Sequence, residues 1–212
     1  STQVNLKQWR LVAKKANMIN SLRVVHAQEI TAYLFNPGDE PTVVTGKEAK
    51  YFVDERDLEV FGKVVTKFPD GFSTKSEYLR YQPGTRLIRI PEKYAVHGAS
   101  DVDGESDQTL DFDSMGMIYP MNDNEVLLPR NVKAIMKQGQ KKTESNRGVE
   151  NETEIRSDQC VMDRDKNIAH FTMYGTRPVA ERFVRITQPD LFAKSRRADL
   201  HYGNFKDVVH YL

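Results

Sequence analysis

Five times along this 212-residue chain, a small residue is followed three positions later by an apolar one, and two positions after that by a bulkier one. The small residues are Gly46, Ser76, Ser114, Ser157 and Ser195. Behind them come Ala49, Leu79, Met117, Cys160 and Ala198, then Tyr51, Tyr81, Tyr119, Met162 and Leu200. The two apolar columns share a parity, so on strands, whose side chains alternate between faces, they line one face. Polar residues such as Lys50, Arg80 and Asp199 fill most slots between them, although Ile118 and Val161 do not fit. Each unit then meets a stretch rich in Asn, Asp, Gly or Pro, at 53–57, 82–86, 120–125, 163–167 and 203–207. Those residues supply tight-turn geometry. A second apolar run follows every turn, in the first copy through Leu58, Val60 and Val64. The chain is therefore an array of strand–turn–strand units, and such a repeat constrains the fold more than any single motif.

One hairpin is marginal in water because nothing covers its apolar face. Stacking hairpins covers it, so the expected fold is all-β, with antiparallel hairpins stacked into opposed sheets, a solenoid or a jellyroll, and one domain over 1–212. Extra strands are expected at 22–35, 132–136 and 182–187. The spacing of Leu6, Trp9, Val12, Ala13 and Ala16 also suits a helical turn or two, so a short N-terminal helix near 12–19 is an expectation. Segments 100–108 and 137–153 are polar and charged, and read as surface loops. An open stack leaves edge strands, and Val208, Val209, His210, Tyr211 and Leu212 form a β-prone run suited to pairing with a partner's strand.

Composition limits the function. The hydrophobic share is 39%, and the 12 glycines bring it to roughly the low edge of the globular range, which predicts a thin core. A net charge of +1 gives no global field for nucleic acid. Cys160 has no second cysteine to pair with. The five histidines stand singly, without metal-site spacing. The run from Asp163 to Asn167 mimics the start of a calcium loop, but Ile168 and Tyr174 occupy its required Gly and Glu positions, which leaves a hairpin turn. Neither a nucleophile elbow nor a phosphate-cradling loop occurs. The expectation is a non-enzyme without cofactor or metal. Lys194, Arg196 and Arg197 form the tightest basic group, most simply a solvated face. A structural or carbohydrate-binding solenoid remains the rival reading, and it requires exposed rows of flat aromatics.

The hairpins at 47–65, 74–81 and 193–202 resemble the repeating unit of the LptC/LptA (OstA-like) lipopolysaccharide-transport family. Leu58, Val60, Gly62 and Val64 match that family's return strand, and Asp70 to Ser76 resembles its link into the next strand. The opening at 9–16 is similar to the first strand of the LptC jellyroll. The resemblance implies an open, V-shaped β-jellyroll in the periplasm, tethered to the inner membrane by a helix preceding Ser1. It implies that acyl chains of lipopolysaccharide are held in an apolar groove. Its lining would be Ala49, Tyr51, Leu58, Val60, Val64, Leu79, Tyr81, Met117, Tyr119, Cys160, Met162, Ala198 and Leu200. Read without the resemblance, those columns are core. It further implies strand pairing with an LptA-like jellyroll at the C-terminal edge. An LptB2FG-type inner-membrane transporter would lie at the N-terminal edge near Val4 and Leu6.

Overall fold

The computed structural model describes residues 8–38, 40–100, 108–138, 151–174, 178, 181–202 and 209–211. Period-2 patterning governs them. The strands are β1 (Trp9–Ile19), β2 (Val24–Leu34), β3 (Thr42–Phe52), β4 (Leu58–Lys67), β5 (Phe72–Gln82), β6 (Leu87–Ser100), β7 (Gln108–Pro120) and β8 (Glu125–Leu128). They continue as β9 (Val132–Gln138), β10 (Asn151–Ser157), β11 (Gln159–Asp163), β12 (Ile168–Thr172), β13 (Val184–Gln188), β14 (Leu191–Ser195), β15 (Arg197–His201) and β16 (Val209–Tyr211). All pair antiparallel in one sheet that does not close on itself. The expected all-β, open architecture is what is found.

The N-terminal helix is not. Residues 9–19 form β1, and the only helical turn nearby among the described residues is the 3-10 turn Asn20–Leu22. Trp9, Leu11 and Ala13 are half-buried while Arg10, Val12 and Lys14 are exposed, a strand alternation. Ten pairs with β2 supply the hydrogen-bonding partners that an isolated helical turn lacks. Expected loops 100–108 and 137–153 fall largely outside the described residues, as does the turn at 203–207.

From β1 to β7, each strand pairs with the next in sequence. At β7 the sheet forks: its N-terminal half pairs β9 through Gln108 to Asp113, while Ile118 pairs Leu127 of β8. One limb runs β8-β11-β12-β15-β16 and the other β9-β10-β13-β14. The fork follows from a bend crossing the whole sheet. In β3 to β7 the ladder breaks at Thr45/Glu48, Phe61/Val64, Ser76/Arg80 and Ile90/Ala95. Beyond β7 the strands separate there, with Pro129 to Asn131 between β8 and β9, Asp158 between β10 and β11, and Arg196 between β14 and β15. The bend divides the sheet into two leaves.

Every small residue of the repeat stands on that bend. Ser76 Oγ donates to the Ala95 carbonyl, Ser114 Oγ to that of Gly116 and Ser157 Oγ to that of Gln159, each at 2.9 Å. A bend takes carbonyls out of the ladder, and a short hydroxyl is a compact donor for them. Gly46 serves the first copy differently, since a Cβ there would lie 2.4 Å from Val60 Cγ1. Gly116, at φ +84°, adopts a backbone conformation that other residues enter at a cost.

In β3, β5 and β7 the bend also changes which parity faces inward. In β3 the buried residues pass from Thr42 and Val44 to Ala49, in β5 from Thr74 to Leu79, and in β7 from Phe112 to Met117. Those steps are odd, whereas β4 (Val60 to Val64) and β6 (Ile90 to Val96) keep their parity, since a bulge adds its residue to one strand of a pair, and both leaves turn apolar faces towards one interior. A single cluster joins them, with Ile30, Val44, Phe112, Ile155 and Ile186 from the first leaf and Val60, Leu79, Met117, Phe171 and Leu200 from the second. Burying each such side chain stabilises by about 1.5–3 kcal/mol.

Tyr81 is the exception within that core. Its side chain is fully buried and its hydroxyl has no hydrogen-bond partner. Burial raises its phenol pKa, and nearby Arg86 acts in the opposite direction. Tyr81→Phe is expected to stabilise the fold by about 1–2 kcal/mol by removing an unsatisfied polar atom. A chemical-denaturation midpoint that moves down in this variant would contradict the assignment.

Candidate functional site

The structure brings the proposed groove residues together. Ala49, Leu58, Val60, Val64, Leu79, Tyr81, Met117, Tyr119, Cys160, Met162, Ala198 and Leu200 all face the interior, none more than 5% exposed, and half-buried Tyr51 packs against them. Burial raises the Cys160 thiol pKa, so it is a packing group rather than a nucleophile. Twelve of these thirteen residues belong to strand segments of the second leaf, with Val64 alone on the first. The opposite wall had a signal of its own. Two residues before each bend stand Val44, Thr74, Phe112, Ile155 and Ala193, and four before it Thr42, Phe72, Leu110, Thr153 and Leu191. Most of these are buried.

Between the walls the packing is tight. Among the described residues, two small cavities between the walls measure about 20 and 10 Å³, the second lined by Phe112, Leu128, Ala134, Cys160, Met162 and Phe171. The larger has room for about one water. An acyl chain needs the leaves to part.

Opposite the bend, the leaf tips form a mouth crossed by specific contacts. Arg164, in the turn between β11 and β12, pairs with Asp70 in the turn between β4 and β5, its Nε donating to Oδ2 at 3.0 Å. The Arg164 guanidinium lies 4.9 Å from the Phe68 ring centroid and 5.2 Å from that of Tyr119. Phe68 and Tyr119 meet edge to face at 5.3 Å. Further along, Arg86 Nη1 donates to Asn36 Oδ1 at 3.2 Å, and Asn36 Nδ2 to the Met121 carbonyl at 3.5 Å. These links tie first-leaf turns to second-leaf turns. None of them was expected from the repeat, because each joins residues at least fifty positions apart or two unrelated turns.

Three strands have a neighbour on one side only among the described residues: β1 at one end of the sheet, β14 and β16 at the other. Val209, His210 and Tyr211 pair with Leu200, Asp199 and Ala198. Val4, Leu6, Val208 and Leu212, also proposed as edge residues, lie outside the described residues. Exposed apolar side chains accompany two of the edges: Val12, Met18 and Ile19 on β1, with Leu22 just beyond, and Leu191 and Phe192 on β14.

The outer surface carries features that the repeat did not reveal. Phe61 and Tyr78 meet at 5.3 Å and Tyr78 stacks on Tyr94 at 4.9 Å, an aromatic row pointing away from the interior. Tyr78 is nevertheless buried, and its hydroxyl donates to Glu59 at 2.9 Å, so the row is packed on itself rather than laid out as a flat platform. A depression of about 1040 Å³ beside it is lined by Lys63, Lys75, Lys93, Tyr94, His97 and Met115. The Lys194–Arg197 group is partly engaged, with Arg197 Nε donating to Asp199 Oδ1 at 3.0 Å and Lys194 over the Phe192 ring.

Two aspartates make the second leaf acid-sensitive. Hydrogen bonds from the Lys166 side chain and backbone hold the Asp163 carboxyl below its ordinary value of 3.8. Burial pushes Asp199 up, but hydrogen bonds from His170 and Arg197 outweigh it and leave it below 3.8 as well. Both native values are depressed, so their stabilisation is present above the ordinary value and is lost as the pH falls through the native ones. Thermal melts are expected to be level from about pH 6 to about pH 5 and to drop below about pH 4, with Asp163→Asn showing a shallower drop. An equally steep drop in that variant would remove Asp163 from the account.

The family model for lipopolysaccharide-assembly, LptC-related proteins matches residues 2–137. The chain belongs to the LptC family. Its part is in the lipopolysaccharide transport bridge of the periplasm, and as a member of a transport family it is not an enzyme. A search of curated proteins finds no match. Among solved structures it is similar to LptH of Pseudomonas aeruginosa, described as the LptA homologous periplasmic component of the conserved lipopolysaccharide transport device. That similarity spans 84% of this chain and 93% of the other, at 10% identity and a TM-score of 0.33. No helix among the described residues is long and apolar enough to cross a membrane.

Proposed function

We propose that this LptC-family chain holds the acyl chains of lipopolysaccharide between its two leaves and passes them on by strand pairing at its sheet edges. Two continuous apolar walls facing one another across a mouth closed by a few side-chain contacts are the observation that carries the reading. Each acyl methylene withdrawn from water contributes about 0.8 kcal/mol, so a chain of about a dozen contributes on the order of 10 kcal/mol. That gain offsets parting the walls, since the acyl chain replaces the contacts the leaves made with each other. Met117, Met136 and Met162 suit such exchange because a thioether chain repacks with little strain.

The unpaired side of β16 and of β14 would receive an LptA-like jellyroll, and that of β1 an LptB2FG-type transporter. A membrane tether preceding Ser1 belongs to the same reading, and fractionation of the natural full-length protein with inner membranes tests it. For the groove, a photo-reactive residue at Tyr119 or Met162 is expected to crosslink to lipopolysaccharide, while one at Lys50 or Asp199 does not. Labelling confined to the outward positions would sink the groove.

A further inference from the structure

We infer that the mouth of the interior contains an anion site, built by Arg164 and Tyr202, that takes the phosphate of an acylated glycolipid as its chains enter between the leaves. The inference rests on the lipid-groove reading and adds a recognition element to it. Its basis is a pair of unsatisfied polar atoms. The Arg164 side chain is only 9% exposed, and although Nε and Nη2 contact Asp70, Nη1 is buried without a hydrogen-bond partner. The Tyr202 hydroxyl is likewise buried and unpartnered. Both residues line the same cavity of about 20 Å³ at the mouth.

Donors of this kind define what they await. A guanidinium N–H only donates, and a buried phenol is a donor as well as an acceptor, so the group that completes the pair presents oxygens. Leaving such donors unsatisfied is costly, and more so for the charged one. The rest of the cavity wall is mostly apolar, with Phe68, Phe72, Phe112, Met117, Val126 and Met162. A ligand matching both halves has an anionic oxygen group joined to a hydrocarbon body. Phosphate fits better than carboxylate, because its oxygens can span Nη1 and Nη2 together and still reach a hydroxyl.

Asp70 makes the site an exchange point. Its side chain is 48% exposed and sits on the opposite leaf from Arg164, so their ion pair also fastens the mouth. A phosphate that takes the guanidinium from Asp70 undoes this fastening as it binds. Arrival of the headgroup and opening for the chains become one event.

The test compares three probes on the purified chain: a phosphorylated acyl glycolipid, the same glycolipid with its phosphates removed, and inorganic phosphate. Tyr202→Phe, which removes one oxygen atom and leaves the packing, and Arg164→Met are expected to weaken the phosphorylated glycolipid roughly 10- to 100-fold. Binding of the dephosphorylated form stays unchanged in Tyr202→Phe and does not weaken in Arg164→Met, which also loses the fastening to Asp70. Asp70→Asn is expected to tighten the phosphorylated form. The assignment is overturned if both variants weaken the two glycolipids equally, if neither weakens the phosphorylated one, or if Asp70→Asn loosens it. It is also overturned if inorganic phosphate displaces the glycolipid at equal concentration, which would make free phosphate the ligand. Failure of the wild-type chain to bind either glycolipid would instead refute the lipid groove itself.

Discussion

Phe171→Ala is expected to lower the unfolding free energy by about 3–5 kcal/mol and the melting temperature by roughly 6–20 °C. Phe171 is among the largest fully buried side chains, sits opposite Cys160 in the β11–β12 ladder, and lines the smaller internal cavity together with first-leaf residues Phe112 and Ala134. Its ring therefore fills space between the leaves rather than within one. The control is Phe192→Ala on β14, where the ring is 59% exposed and the change is expected to stay within about 0.5 kcal/mol. Equal effects at the two positions would mean that the interior is not the single core described. A cavity at 171 also enlarges the space an acyl chain would occupy. Added lipopolysaccharide is expected to recover part of the lost melting temperature, in keeping with binding to the native state alone.

The second large effect concerns the C-terminal edge. Successive residues of a strand direct their backbone donors to opposite sides, so prolines at 209 and 210 remove, between them, one donor towards β15 and one towards the open edge. Val209→Pro and His210→Pro are each expected to abolish association with a partner jellyroll, one by blocking the docking edge and the other by detaching β16 from Leu200 and Asp199. Pull-down or native mass measurements with the next jellyroll supply the readout, with thermal melts to show that the body of the sheet persists. Association at wild-type strength in both variants would refute strand addition at this edge.

The repeat made one wall of the molecule legible and concealed the other. Counting forward from Gly46, Ser76, Ser114, Ser157 and Ser195 crosses the bend with its first step of three, and the second-leaf columns then keep one parity up to the next turn. Counting backward stays on the first leaf in even steps, so Val44, Phe112 and Ile155 fall out of phase with Ala49, Met117 and Cys160 across the bend. The inversion comes from the extra residue of the bulge beside these positions. At the N-terminus, the spacing of Trp9, Val12, Ala13 and Ala16 fits a helix and Trp9, Leu11 and Ala13 a strand, and only the ladder with β2 decides between them. The mouth was not legible at all. Arg164 and Asp70 lie 94 residues apart, in turns whose sequences serve their own hairpins equally well without the contact.

The forked sheet gives the molecule two unlike ends. On one side a single strand, β1, spans both leaves; on the other, the same breadth is divided between the separate borders of β14 and β16. Two identical borders can meet across a twofold axis and stop at a dimer, whereas unlike ones meet head to tail and leave a fresh border free for the next unit. Assemblies joined through these ends therefore carry an arrow. Each added unit faces the same way, so every junction in such an assembly has the same orientation as the one before it.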